Sequence, residues 1–455
     1  MSSNVTVSRR QFLQISGMVV GASALAACTA MPVAPAAGGG AAAPAAAMKK
    51  LEAWNQMTGV AEKSLRGIID NYNAQNTKGN VVEYVYIAMT QGSQSDQKLL
   101  TAVAGGNPPA LHMADRFTVP QFAHQGFFTA ITDQAEAAGV KAADFYPFAW
   151  EEASYKDGLY ALPLDTDTRA LWYNKDIMAE AGLDPEKPPT TLDELKAMTA
   201  ALTVKADNGR VTRHGFIPNY DQAWLYTWGF DFGGQFQDPA TRRITFADPK
   251  NVQSMEWMKA FIDEIGIEDV DAFHSACTGG ACNDLNNPFW TGQSAMTCSG
   301  NWMVAMSHEY KPDGNYGVVP MPGPDGPAPF ASWAGGWSWA VPKGFKDVDA
   351  AFDALAYICG PEGQLKYNKD TFHIPTNVKA SEDPFFREDP LHAVFMDLLP
   401  VSHTRPPIPL GSKLWDLQYK ALIDEIPHGL KTPQQALEDI DVTINKELEE
   451  IGFFS

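Results

Sequence analysis

The chain reads as an α/β protein of two lobes, and three observations predict this. Its 455 residues exceed what one ordinary hydrophobic core organises. Strand-like and helix-like runs alternate between Leu51 and Met113, the order that builds a parallel sheet with crossover helices. Hydrophobic residues make up 45% and charged residues 19% of the sequence, a globular balance.

Order is expected from Lys49 onward. Before it, Ser8-Arg9-Arg10-Gln11-Phe12-Leu13 is a twin-arginine signal, followed by an apolar run from Ile15 to Ala24 that is too short for an ordinary membrane span. The run ends at Leu25-Ala26-Ala27-Cys28, which is similar to the lipobox of bacterial lipoproteins. That similarity implies cleavage after residue 27 and lipidation of Cys28. Thr29 to Ala47 is almost wholly Ala, Pro and Gly, so residues 28–48 read as a disordered tether.

Leu51 to Trp54 reads as a first strand, and Gly59 to Asn73 as a helix with Leu65, Ile68, Ile69 and Tyr72 on one side. Val81 to Ile87 is a second strand, Ser95 to Ala104 a helix, and Ala110 to Met113 a third strand. In such sheets ligands bind beyond the carboxyl ends of the strands. Trp54 and Asn55, Met89 and Thr90, and Asp115 and Arg116 fall at those ends.

The middle of the chain turns on Ala161 to Lys175. A Pro-containing extended run, Ala161 to Leu164, precedes a polar knot of Asp165, Asp167 and Arg169, and Leu171-Trp172-Tyr173 follows as a strand. An unpaired buried charge is strongly disfavoured. These charges therefore face solvent, pair with one another, or line a cavity that a polar ligand enters. Beyond them come a helix from Lys175 to Ala181, and a second whose N-cap is Thr191 with Glu194 at the capping-box position. Gly215 to Pro218 reads as a strand, and the aromatic segment Tyr220, Trp224, Tyr226, Trp228 and Phe230 follows. Asn251 to Glu264 is an amphipathic helix. Met296 to Gly300 leads into a Gly300-Asn301-Trp302 turn, and Tyr316 to Pro320 is expected to return to the first lobe. Gly335-Gly336-Trp337 opens another strand. Asp349 to Gly360, Lys413 to Ile426 and Thr432 to Glu450 read as helices.

Cys277 and Cys282 flank Thr278-Gly279-Gly280-Ala281, a loop able to close a small disulfide outside the cytoplasm. No His or second Cys pair stands beside them at zinc spacing, so no metal is expected. Cys298 and Cys359 sit in apolar contexts and read as core thiols. The net charge of −20 argues against nucleic acid, since phosphate binding needs clustered Lys and Arg.

Ala114-Asp115-Arg116-Phe117, the segment from Tyr146 to Tyr173, Ala179 to Leu195, Gly292-Gln293-Ser294-Ala295-Met296 with Gly300-Asn301-Trp302, Gly335-Gly336-Trp337 and Gly360-Pro361-Glu362-Gly363-Gln364 occur in one order. Together, over roughly residues 49–452, the chain resembles bacterial extracellular solute-binding proteins of ABC importers, especially the sugar-binding branch related to maltose-binding protein. The resemblance implies a two-lobed, periplasmic-binding-protein-like clamp of type II, with a hinge and a ligand cleft between the lobes. It places lobe 1 at 49–163 plus 320–387 and lobe 2 at 164–319 plus 388–455, after a leader at 1–27. By resemblance, Asp115 and Arg116 map onto a sugar-binding Asp-Arg pair, Asp167 onto a hinge carboxylate, and Trp302 onto a stacking tryptophan. Trp415 and the Trp224 region map onto further aromatic contacts. Asp416 stands where the family has another aromatic beside Trp415.

The residues admit plainer readings too. A sugar offers hydroxyls that donate and accept, plus apolar C–H faces, and is met by carboxylates, Arg, Asn and aromatic rings. Twelve Trp and fourteen Tyr supply such rings and also fill cores. Asp115 with Arg116 is either a ligand pair or a solvated ion pair. Trp302, in a turn, is poorly explained by core filling. Gly335 and Gly336 serve close approach to a ligand or a tight bend. Trp224 and Trp415 are contacts or core. Arg169 and Arg405 either neutralise an anionic ligand or pair with acids.

Three functions follow. The first is a lipid-anchored, extracytoplasmic receptor, monomeric, that closes on a carbohydrate and delivers it to the importer's membrane permease. The second is the same clamp for a glycerophosphodiester, polyamine or other polar solute. The third is an extracellular glycoside hydrolase using Asp165 and Asp167, which lie roughly 6–7 Å apart if both sit on one strand, within the range of about 5–9 Å such pairs need. No glycosidase motif, Gly-x-Ser-x-Gly elbow or phosphate-binding loop accompanies them. No catalytic residue, cofactor or metal is assigned.

Overall fold

The computed structural model describes residues 48–88, 97–278, 281–282, 284–327 and 332–454. The arginine motif, Cys28 and the tether lie outside the described residues, as do Met89, Thr90, Gly279 and Gly280.

Strand β1 (Lys49–Asn55) buries Leu51, Ala53 and Trp54, and helix α1 (Gly59–Gln75) carries the chain to β2 (Asn80–Tyr86). Leu65, Ile68, Ile69 and Tyr72, at helical spacing, form the buried face of α1. After α2 (Gln97–Ala104), β3 (Leu111–Asp115) joins the other edge of β1. Both pairings with β1 are parallel, as the alternation predicts.

The sheet is nonetheless mixed. Its order is β2-β1-β3, then Trp337–Ala340, then β4 (Ala161–Pro163). Trp337–Ala340 runs antiparallel to both neighbours because it enters the sheet from the opposite direction.

A second sheet has β6 (Arg169–Asn174) at its centre, flanked antiparallel by β7 (Met296–Gly300) and β8 (Tyr316–Val319); the short β5 (Asp165–Thr166) lies between β4 and β6. Tyr316–Val319 thus belongs to the second sheet, pairing with Leu171 to Asn174, and does not return to the first as its sequence position suggested. The Thr191–Glu194 capping box forms as predicted. Gly215 to Pro218 is irregular, and the strand there is Val211–Arg213; Gly215 rides against the backbone of Thr199, which a Cβ would meet at 2.3 Å.

Separate apolar clusters underlie the lobes. One joins Leu51, Leu65, Ile69, Leu111, Trp339 and Leu355. The other joins Leu171, Trp228, Met255, Phe261, Leu414 and Ile440, and takes in Met321 and Trp333 as well. A third, around Trp172, Phe289, Trp290 and Phe395, covers the other face of the second sheet. Cys298 and Cys359 are buried free thiols, and Cys277 and Cys282 form a disulfide with Cα atoms 4.8 Å apart.

Candidate functional site at the junction of the two sheets

The chain leaves the first sheet after Pro163 and enters the second at Arg169. A second passage runs from β9 (Trp333–Ala334) through Gly335 and Gly336 to β10 (Trp337–Ala340). A third runs from helix α3 (Pro361–Thr371) by β11 (Ile374–Pro375), which pairs with Asp165–Thr166, to helix α4 (Pro390–Leu398). The polar knot read in the sequence is the first passage, and two of its three charged groups, Asp167 and Arg169, pair with each other.

Asp167 and Arg169 form a buried ion pair. Asp167 Oδ1 also accepts the Gly335 N–H at 2.8 Å. Burial alone would raise the Asp167 carboxyl, but Arg169, His373 and the Gly335 N–H outweigh it and hold the group below its ordinary value. The Arg169 guanidinium lies 3.4 Å from the ring centre of Trp333 and 5.4 Å from that of Trp302, and its Nε donates to Gln222 Oε1 at 3.2 Å. Trp333 is pinned in turn by its Nε1, which donates to Thr227 Oγ1 at 3.0 Å.

Asp115 does not pair with its neighbour Arg116. It receives a two-pronged ion pair from Arg405, at 2.6 and 3.2 Å. Arg405 is buried, lies 3.8 Å from the Phe117 ring centre and 4.7 Å from that of Trp333, and follows β12 (His403–Thr404), which pairs with β9. Arg116 is wholly buried: Nε donates to Glu152 at 2.7 Å, Nη1 to the Asp165 carbonyl and Nη2 to the Gly335 carbonyl, each at 2.6 Å. Burial raises the Glu152 carboxyl against the pull of Arg116.

Asp165 is the odd member. Its Oδ1 accepts the Trp337 N–H at 2.6 Å, while Oδ2 is buried without a hydrogen-bond partner, 4.0 Å from His373 Nε2. Burial, then the neighbouring Asp167 charge, push its carboxyl up to about 8, so it is protonated at neutral pH. His373 is pushed down to about 4 by burial and is neutral there.

The residues named from sequence therefore divide. Asp115, Asp167, Trp302, Trp337 and Trp224 come together at or beside the junction with partial exposure or polar partners. The indole of Trp302 is partly exposed and stacks on His373 at 5.9 Å. Gly300 permits that placement, since a Cβ there would sit 2.0 Å from the ring. Trp224 packs on Trp415 and Tyr419, at 5.4 and 5.7 Å between ring centres. Trp54 is tied to Glu52 through its Nε1.

Arg116, Asn301, Asn55, Gly335, Gly336 and Trp415 turn inward instead. Asn301 accepts the Thr168 N–H at 3.2 Å and donates to the Phe372 carbonyl at 2.6 Å. Asn55 accepts the Met57 N–H and shapes its own turn. Trp415 is 6% exposed and belongs to the second-lobe core. The close approach at Gly336 is made by the protein itself: its φ is +139°, and a Cβ would lie 2.3 Å from the Asp165 carbonyl and 2.5 Å from Arg116 Nη1. Glu152, Gln222, Trp333 and His373 join the site although the sequence reading does not name them. Trp333, two residues before the glycine pair, carried the best signal; Glu152 carried none.

Comparison with known proteins shows what the chain as a whole is similar to. The family described as bacterial extracellular solute-binding protein matches residues 67–394. The sn-glycerol-3-phosphate-binding periplasmic protein UgpB of Escherichia coli strain K12 is 25% identical over 426 residues, covering 87% of this chain and 91% of that protein. The structure of CpMnBP1 with mannobiose bound superposes with a TM-score of 0.76 at 25% identity, over 87% of this chain and 99% of that one. Maltose-bound MalE3 of T. maritima gives 0.69 at 20% identity, over 89% and 100%.

Proposed function

This chain belongs to the bacterial extracellular solute-binding protein family, and we propose that it is the receptor of an ABC importer whose ligand is a neutral carbohydrate, held between its two lobes. One observation carries the choice of ligand. Each of the three buried guanidiniums at the junction already has its own carboxylate: Arg116 with Glu152, Arg169 with Asp167, and Arg405 with Asp115. A phosphate is held by several converging basic side chains or backbone N–H donors, and these three guanidiniums are already engaged by carboxylates. Paired carboxylates and guanidiniums beside partly exposed indoles suit hydroxyls and C–H faces instead.

Asp115, Asp167 and Arg169 are the polar contacts in this reading, and Trp302 is the stacking platform. Closure is the output, since a ligand bridging both lobes shifts the population toward the closed form that a permease recognises. No bond is made or broken. The lobes meet at residues 164–168, at Gly335–Gly336 and within 372–389; the inclusion of Met321 and Trp333 in the second-lobe core supports moving the second crossing from residue 320 to the glycines. The twin-arginine leader would export the chain folded, and lipidation of Cys28 would hold a monomer at the outer face of the membrane on its tether.

The similarity to a glycerol-3-phosphate-binding relative supports one rival ligand class. A thermal-shift screen of the whole chain against mono- and oligosaccharides, glycerol-3-phosphate, glycerophosphodiesters and polyamines separates them, because a ligand bound only by the folded state raises the melting temperature. Shifts with one family of neutral sugars are expected. Shifts confined to phosphates or amines would overturn the carbohydrate reading.

A further inference from the structure

Two of the residues whose family positions suggest ligand contact do a different job. Arg116 stands at the end of β3, on the first lobe, and Asn301 directly after β7, on the second. Both are 0% exposed. The Arg116 fork joins the first passage to the second, through the carbonyls of Asp165 and Gly335. The Asn301 amide joins the first passage to the third, through the Thr168 N–H and the Phe372 carbonyl. Arg116 and Asn301, one anchored in each lobe, thus tie together the three passages described above, alongside the Asp167–Gly335, Asp165–Trp337 and Thr166–Gly335 bonds. A planar guanidinium donates along divergent directions at once, which a single ammonium on a flexible stem does not reproduce.

Each stitch is also the chain neighbour of a residue placed toward the ligand, Asp115 beside Arg116 and Trp302 beside Asn301. We propose that Arg116 and Asn301 are positioning residues that fix the closing axis and transmit ligand contact at Asp115 and Trp302 to the crossings. The proposal deepens the receptor reading and rests on it for the existence of a ligand. Its geometric content, that these side chains limit how the lobes move, does not depend on which ligand binds.

The test is the interlobe distance distribution of the ligand-free full chain, measured by pulsed electron spin resonance. Labels go on Asp70→Cys and Gln253→Cys, both exposed and one on each lobe, in a Cys28→Ser background. Arg116→Lys and Asn301→Ala are expected to broaden and lengthen the distribution while near-ultraviolet circular dichroism stays native. Each should weaken the ligand found by screening by roughly tenfold, within the usual range of a coupling between sites. Trp302→Ala should weaken the ligand and leave the ligand-free distribution unchanged.

Should the Arg116 and Asn301 variants fail to fold, Thr166→Val decides. It removes one hydroxyl donor to the Gly335 carbonyl, a 2.9 Å bond between the same two passages, and should broaden the distribution to a smaller extent. An unchanged distribution in the folded variants would overturn the proposal. Broadening without any sugar binding would keep it and reject the carbohydrate reading alone.

Discussion

Asp115 and Arg405, 290 residues apart in the chain, hold each other in a two-pronged ion pair that links the end of β3 to the segment following β12. Arg405 is 2% exposed, and burial, which would lower its pKa, is outweighed by Asp115, which raises it. Losing one partner leaves the other charge buried, a cost of about 3 kcal/mol. Asp115→Asn should therefore destabilise the protein by about that amount in urea unfolding, and Arg405→Met by a similar amount. The double variant should cost clearly less than the sum, since the two changes remove one interaction. Strict additivity would mean the pair is not coupled.

Trp302 should contribute through its face. Replacing it by Ala is expected to cost about 1–3 kcal/mol of sugar affinity, the range of stacking on bases, and to lower the unfolding midpoint as well, because the ring packs on the Trp172 cluster and on His373. Calorimetric titration checks this, and unchanged affinity would remove Trp302 from the site.

Asp165 should make stability fall as pH rises. Its folded-state pKa, about 8, lies above the ordinary value of 3.8. Its favourable contribution is therefore complete below pH 3.8 and is lost as pH climbs through about 8. Asp167, Arg116, Asp115 and His373 are the charged or titratable groups around it. Asp165→Asn keeps an acceptor for the Trp337 N–H and does not ionise. Its stability relative to the parent should grow across that window at up to about 1.4 kcal/mol per pH unit, then level off. Urea unfolding across the window reads this directly, and a pH-independent difference would contradict the assignment.

The Cys277–Cys282 bridge closes a short loop, with a sequence separation of 5. Chain-entropy reasoning gives about 2 kcal/mol for a loop this small. The Cys277→Ser/Cys282→Ser variant should lose that much in urea, and reductant should lower the parent to the same level.

The fold was legible where local signals agreed with the final packing. Leu65, Ile68, Ile69 and Tyr72 form the buried side of α1 because helical spacing and core position coincide. The Thr191–Glu194 cap is equally local. Gly215 to Pro218 misled because its apolar run packs as an irregular segment, with Gly215 against Thr199 of another segment, while the strand forms just before it at Val211–Arg213. The site was legible in composition and less so in role. Asp115 and Arg116 invite pairing with each other, but each meets a partner distant in sequence, Arg405 and Glu152. Gly335 and Gly336 signalled close approach, and the approaching groups proved to be the protein's own: the Asp167 carboxylate at Gly335, the Asp165 carbonyl and the Arg116 guanidinium at Gly336. Sequence spacing reveals which residue types are at hand; it does not reveal which distant charge has already claimed them.

The most direct measurement is a calorimetric titration of the whole chain at low and high salt, with the best neutral sugar from screening and with glycerophosphocholine and glycerol-3-phosphate. If the guanidiniums at the junction are already neutralised, the sugar binds with an affinity that salt leaves nearly unchanged, and the phosphate esters bind weakly or not at all. Binding of the phosphate esters alone, with an affinity that falls as salt rises, would contradict a neutral carbohydrate as the ligand.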